Sequence, residues 1–192
     1  MHRSAAVMIG VLVMGVVGTN LFGQGRPDPK EAIKAQQEAM NRFKMMDGTW
    51  RGQGWIMLPS GKHELTQTER VGPFLDGSVK VIEGRGYEAD GSVGFNALAV
   101  ISYDLGKSEY SMRSYAMGQV GDFVITSTSN GFTWEIPAGP MTIRYTATIG
   151  DSTWTEVGDR VMQGKDPVRI FEMHLTRIGD TDWPSGGEVP PK

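Results

Sequence analysis

Gly48-Thr49-Trp50-Arg51-Gly52-Gln53-Gly54 stands where the hydrophobic period of this chain changes. Before it, apolar residues recur every three or four positions; after it, they alternate with polar ones, the periods of an amphipathic helix and of half-buried strands. A Gly-x-Trp at such a junction is a common opening for the first strand of a small β-barrel.

Upstream, Asp28 suits an N-cap, Pro29 the first helical position, and Glu31 completes a capping-box pattern. Ala32, Ala35, Ala39, Phe43 and Met46 share one face, which Met40 widens, so the spacing predicts a helix to about Met46. Gly48 is placed to end it in a left-handed conformation. The stripe is expected to pack on its own domain, plugging one barrel end.

Downstream, period-two patterning predicts strands over 49–58, 64–71, 79–87, 95–103, 109–117, 122–128, 132–136, 141–149, 153–161 and 168–178. Short turns separate them, among them Pro59-Ser60-Gly61, Ala89-Asp90-Gly91, Asn130-Gly131 and Gly150-Asp151. Such turns join antiparallel neighbours, and no helix-length pattern intervenes to make parallel units. The fold expected over 48–179 is all-β: an up-and-down antiparallel barrel of about ten strands, with a linker and the N-terminal helix over 26–47 and that helix as its cap. The 26 glycines, well above the average of roughly 7%, fall at strand ends and fit many turns. The Pro-containing tail, 180–192, is expected to be disordered.

The first 25 residues read as a secretory signal peptide: His2 and Arg3 precede an apolar run from Ala5 to Gly18, and Gly23-Gln24-Gly25 or Val16-Val17-Gly18 offers a small-x-small cleavage site. The alternative is an uncleaved membrane anchor, since Ala5 to Gly23 is almost long enough to span a bilayer. The mature domain is thus expected to be exported, periplasmic or extracellular. With no cysteine there is neither a lipid attachment site nor a disulfide, so its stability must come from packing. A net charge of −3 gives no basic field for nucleic acid or anionic lipid.

The first-strand motif, together with Thr66-Gln67-Thr68-Glu69-Arg70-Val71 and Phe171-Glu172-Met173-His174-Leu175-Thr176-Arg177, resembles an uncharacterised bacterial family of calycin-like barrels, domain of unknown function 1579. That resemblance implies a fold and almost no activity. More distantly, the first-strand motif is similar to the nitrobindins, calycin barrels that bind haem. In calycins a first-strand tryptophan packs near a last-strand arginine where the barrel closes, which implies that role for Trp50 and Arg177, with the guanidinium over the indole. Gly52 and Gly54 suit a sharply bent first strand. The nitrobindin likeness puts a haem-ligating histidine near His174, although Met173 replaces one of that family's adjacent histidines.

Interior residues follow from register. If Gly150-Asp151 is a two-residue loop, Tyr145 faces Glu156 and Met141 faces Arg160; Met141, Ile143, Tyr145, Ala147 and Ile149 form the apolar face, so Tyr145, Trp154, Glu156 and Arg160 point into the lumen. On strand 79–87 the same alternation sets Val79, Val81, Glu83, Arg85 and Tyr87 against Lys80, Ile82, Gly84 and Gly86. Glu83, Arg85, Tyr145, Glu156 and Arg160 are therefore candidates to anchor the polar head of an apolar ligand. Alternatively these charges pair with one another and fill the barrel. His174 shares a face with Ile170, Glu172 and Thr176, and so points outward or into a polar lumen.

No catalytic motif, metal cluster or phosphate-binding loop is present in the sequence pattern. The expected function is non-covalent binding of a small, mostly apolar molecule, without a cofactor. The alternatives are haem binding through His174 and an envelope interaction module with a filled core.

Overall fold

The computed structural model describes residues 28–184; the expected signal segment and residues 185–192 lie outside them. Ten strands form: β1 (Gly48–Leu58), β2 (Gly61–Phe74), β3 (Val79–Tyr87), β4 (Val93–Asp104), β5 (Glu109–Ala116), β6 (Gln119–Thr128), β7 (Gly131–Ala138), β8 (Met141–Ile149), β9 (Thr153–Met162) and β10 (Val168–Gly179). Each pairs antiparallel with its sequence neighbours, and β1 pairs with β10, so the sheet closes on itself as the alternation predicts. Closure gives every strand two hydrogen-bonded partners and leaves no edge open to another chain.

The helix α1 (Pro29–Met40) starts as its sequence dictates, with the Asp28 carboxylate accepting from the Lys30 amide at 2.9 Å. It tightens into a 3-10 turn over Asn41–Met46. Gly48 does not cap it. The helical path ends at Asp47, which is extended, and Gly48 opens β1 at φ +142°. A side chain there is blocked as well as strained, because a Cβ would sit 2.9 Å from Arg177 Nε.

The helical segment closes one pole of the barrel. Met40, Phe43 and Met46 are buried, and Phe43 meets Tyr110 and Phe132 edge-on with centroids 5.0 and 6.0 Å apart. Three bonds tie it to two hairpins: Gln36 Nε2 donates to Tyr103 O and Tyr110 Oη to Ala39 O at the β4–β5 hairpin, and Arg42 Nη2 to Thr128 O at the β6–β7 hairpin. Trp50 belongs to this plug, donating from Nε1 to Met46 O at 2.9 Å and meeting Trp154 edge-on at 5.8 Å. Arg177 lies opposite Trp50 in the closing register, but its guanidinium does not cover the indole. It packs over Gly48 and donates to Asp47 O and the Asp180 carboxylate, so the closure contact is made to backbone and not through a cation–π pair.

Lys80, on the inward face of β3, is buried at the closed pole and paired with Asp47. A buried ammonium stripped of its counterion destabilises strongly. Asp47→Asn is expected to lower stability by about 2 kcal/mol, less than for a fully buried pair because Asp47 is partly exposed. Urea unfolding measures this; a change below about 0.5 kcal/mol would mean that Lys80 reaches water.

Residues 180–184, expected as disordered tail, instead pack along β2. Trp183 meets Phe74 edge-on at 5.8 Å and lies 5.6 Å from the Arg70 guanidinium, above Gly72, whose missing side chain leaves the room.

Candidate ligand site in the barrel lumen

The pole away from the helix leads into a cavity of about 880 Å³, so the lumen is not filled by its own side chains. Its volume comes from small residues in register. Gly84 on β3 faces Ala97 on β4, which faces Ala116 on β5, and all three line the cavity. Gly84 is required there by its neighbour: a Cβ would stand 2.8 Å from the Glu69 carboxylate, which lies directly across from it on β2. Gly86 makes the same concession to Leu65, 2.9 Å from where its Cβ would be.

The opposite wall is aromatic. Trp134 and Tyr145 stack with centroids 4.3 Å apart and planes 10° from parallel. Phe123 abuts Trp134 at 5.0 Å and Phe171 abuts Tyr145 at 5.7 Å, extending the surface over four strands. At the mouth, His63 and Glu88 pair at 3.0 Å beside exposed Leu58 and Val120.

Two acids lie within this apolar space. Glu69 is 9% exposed and Glu156 8%. Gln67 Nε2 donates to Glu69 Oε1 at 2.7 Å and Trp134 Nε1 to Glu156 Oε1 at 3.2 Å. Burial pushes the Glu69 carboxyl up to about 8 against the lowering effect of the Gln67 bond, and the charges of Glu156 and Glu83 add repulsion. Burial pushes Glu156 up to about 7 against the Trp134 and Trp154 indoles. Trp154 Nε1 is directed at that carboxyl but outside hydrogen-bonding geometry, and it has no other partner.

Of the residues expected here, Tyr145 and Glu156 line the cavity, whereas Glu83, Arg85 and Arg160 do not. On β3 the inward face carries Lys80, Ile82, Gly84 and Gly86, and Glu83 bonds the half-exposed Arg85 at 2.6 Å on the outside. Alternation was sound there; hydropathy chose the wrong face, because that inward face is cut away to admit Glu69 and Leu65. The β8–β9 loop is longer than two residues, so Ala147, not Tyr145, faces Glu156 and Ile143, not Met141, faces Arg160. A slip of two leaves every face unchanged, and Trp154 and Glu156 still point inward. Arg160 lies beyond an irregularity between Arg169 and Phe171 of β10, opposite Gly158 and Asp159, and is exposed.

His174 is on the outer face, its side chain 62% exposed and bonded to Glu172 at 2.5 Å. An imidazole there cannot ligate a haem inside the barrel, so the lumen does not fit that group through His174. Among the described residues, no three His, Asp or Glu side chains cluster as metal ligands. Gln67 and Glu69 were missed, though Leu65 and Val71 share their alternation and mark the face as inward.

No family model matches the chain, and no curated protein matches it. Among solved structures, Rv2717c from M. tuberculosis superposes with a TM-score of 0.55 at 11% identity, covering 73% of this chain and 97% of that one. The fold is a calycin-like barrel. The S-type phycobiliprotein lyase CPES from Guillardia theta gives a TM-score of 0.47 at 12% identity, with 78% and 97% covered. At 11% identity the likeness to Rv2717c extends to the fold and no further.

Proposed function

We propose that this protein binds a small, mostly apolar molecule non-covalently in its lumen. The observation that carries this reading is an open cavity of about 880 Å³, walled by stacked aromatic and small apolar residues and holding only a few polar groups. That volume and lining are typical of small-molecule pockets. The two buried carboxyls add support: burial raises both, so their ionisation opposes folding, and titratable groups so perturbed inside a cavity are candidates for ligand contact.

The motif residues of β1, β2 and β10 support membership of the domain of unknown function 1579 family, and the basic-then-apolar start of the chain supports export. Fractionating cells that express the full chain tests the latter; protein confined to the cytoplasm would refute it.

N-phenyl-1-naphthylamine, neutral and fluorescent in apolar surroundings, tests binding. One saturable site is expected, with blue-shifted emission. Ala97→Trp places an indole across the row Gly84, Ala97, Ala116 and is expected to weaken uptake at least tenfold while leaving a cooperative unfolding transition. Equal uptake by the variant would place the probe elsewhere and sink the reading.

A further inference from the structure

Resting on that lumenal reading, we infer that the ligand is a lipophilic amine, with its cationic nitrogen between Glu69 and Glu156 and its apolar body against the Trp134–Tyr145 wall.

The lumen carries a charge imbalance. Both acids are over nine-tenths buried, yet no lysine or arginine is among the residues lining the cavity. The basic groups around them are engaged elsewhere: Arg70, next to Glu69 in sequence, lies against Asp182 and Trp183 on the outside. Arg85 pairs with Glu83 outside the barrel, Arg160 is in solvent, and Lys80 pairs with Asp47 at the closed pole. At the mouth, His63 is paired with Glu88. A buried acid is ordinarily matched by a cation of the protein, and here the match is left open.

The hydrogen bonds are left open too. Gln67 donates to one oxygen of Glu69 and Trp134 to one oxygen of Glu156, the Trp154 indole faces Glu156 without completing a bond, and no hydrogen bond from a described residue reaches the second oxygen of either acid. An ammonium carries up to three donors and no acceptor, which suits two free carboxyl oxygens. Space between the acids is provided by the wall itself. Glu69 on β2 and Glu156 on β9 are separated by β1 and β10; Trp50 lies across from Glu69 and Met173 across from Glu156, while Gly52 and Gly54, the next inward positions of β1, extend no side chain, and the charge of Glu156 acts on Glu69. The aromatic faces beyond offer the cation a second attraction. An anionic ligand would meet two acids and no base, and a wholly neutral one would leave both carboxyls without a function.

Titration supports the same reading. Near neutral pH both acids are partly protonated, with Glu156 and Glu83 acting on Glu69, and the Trp134 and Trp154 indoles on Glu156, beside Tyr145. An arriving ammonium favours the carboxylates, so binding should expel protons.

Three probes of one shape separate the possibilities: 1-naphthylmethylamine, 1-naphthalenemethanol and 1-naphthoate, titrated calorimetrically into the full-length protein at pH 7 in two buffers of different ionisation enthalpy. The amine is expected to bind at least 30-fold more tightly than the alcohol, with proton release seen as a buffer-dependent heat, and the naphthoate more weakly than either. In Glu69→Gln/Glu156→Gln the amine's advantage should fall to within about threefold while alcohol binding persists, and the single variants give the same readout if the double variant does not fold. Equal binding of amine and alcohol by the wild type, or a preference that survives both substitutions, overturns the inference and leaves the lumenal reading standing. Failure of all three probes and of N-phenyl-1-naphthylamine overturns both.

Discussion

Gly52→Ala is expected to destabilise the barrel by about 4 kcal/mol or to prevent its closure, while Gly54→Ala, two residues along the same strand, should change stability by less than about 1 kcal/mol. A Cβ on Gly52 would stand 1.9 Å from His174 O and 2.8 Å from Leu175 Cα, the backbone of the strand that completes the barrel. Backbone held by ladders on both sides cannot rotate away as a side-chain tip can, so a single methyl must push β1 and β10 apart. A Cβ on Gly54 meets Met173 Cβ at 3.4 Å, an ordinary contact, and gains a few tenths of a kcal/mol from reduced unfolded-chain entropy. Urea unfolding followed by tryptophan fluorescence measures both. A Gly52→Ala protein within 1 kcal/mol of wild type would show that the seam yields, and that the approach of β1 to β10 is not a constraint on the sequence.

That pair also marks the limit of what the sequence tells. Both glycines suit a bent first strand, and nothing in Arg51-Gly52-Gln53-Gly54 separates them; the distinction lies in a carbonyl more than a hundred residues away. The ten strands were legible because alternation is a local property, and closure follows once every connection is a hairpin. Side-chain facing was legible where one face is plainly apolar, as on β8, and it survived an error in loop length because the error was even. It failed on β3, where hydropathy scores Gly84 and Gly86 as featureless and they are in fact the inner face, emptied for Glu69 and Leu65. Glu69 was obscured for the complementary reason: an acid at an inward position looks like an outward one until the glycine opposite it is known.

The second large effect is on pH dependence. Stability is expected to fall as pH rises from about 5 to 8, opposite to the behaviour of a protein held by ionised carboxylates. In the unfolded chain Glu69 and Glu156 release their protons near 4.5; in the barrel they hold them to about 8 and about 7. Between those values the native state binds more protons than the unfolded state, so unfolding releases protons and rising pH favours it, by about 1.4 kcal/mol per pH unit for each group fully protonated in one state and ionised in the other. The stabilisation is fully present below 4.5 and lost once pH passes the folded values. Glu69→Gln keeps a neutral group beside Gly84 and is expected to flatten the curve between pH 7 and 8 and to exceed wild type in stability at pH 8. Glu156→Gln should reduce the slope between pH 5 and 7 and, by removing its repulsion from Glu69, shift the remaining fall to slightly lower pH. Urea unfolding at pH 5, 6, 7 and 8 resolves these cases; a wild-type protein as stable at pH 8 as at pH 5 would mean that water or a rearranged cation solvates the acids. The same curve bears on the ligand. A bound ammonium stabilises the ionised form that the empty cavity resists, so 1-naphthylmethylamine should raise the melting temperature more at pH 8 than at pH 5, whereas 1-naphthalenemethanol should shift both alike or favour the lower pH.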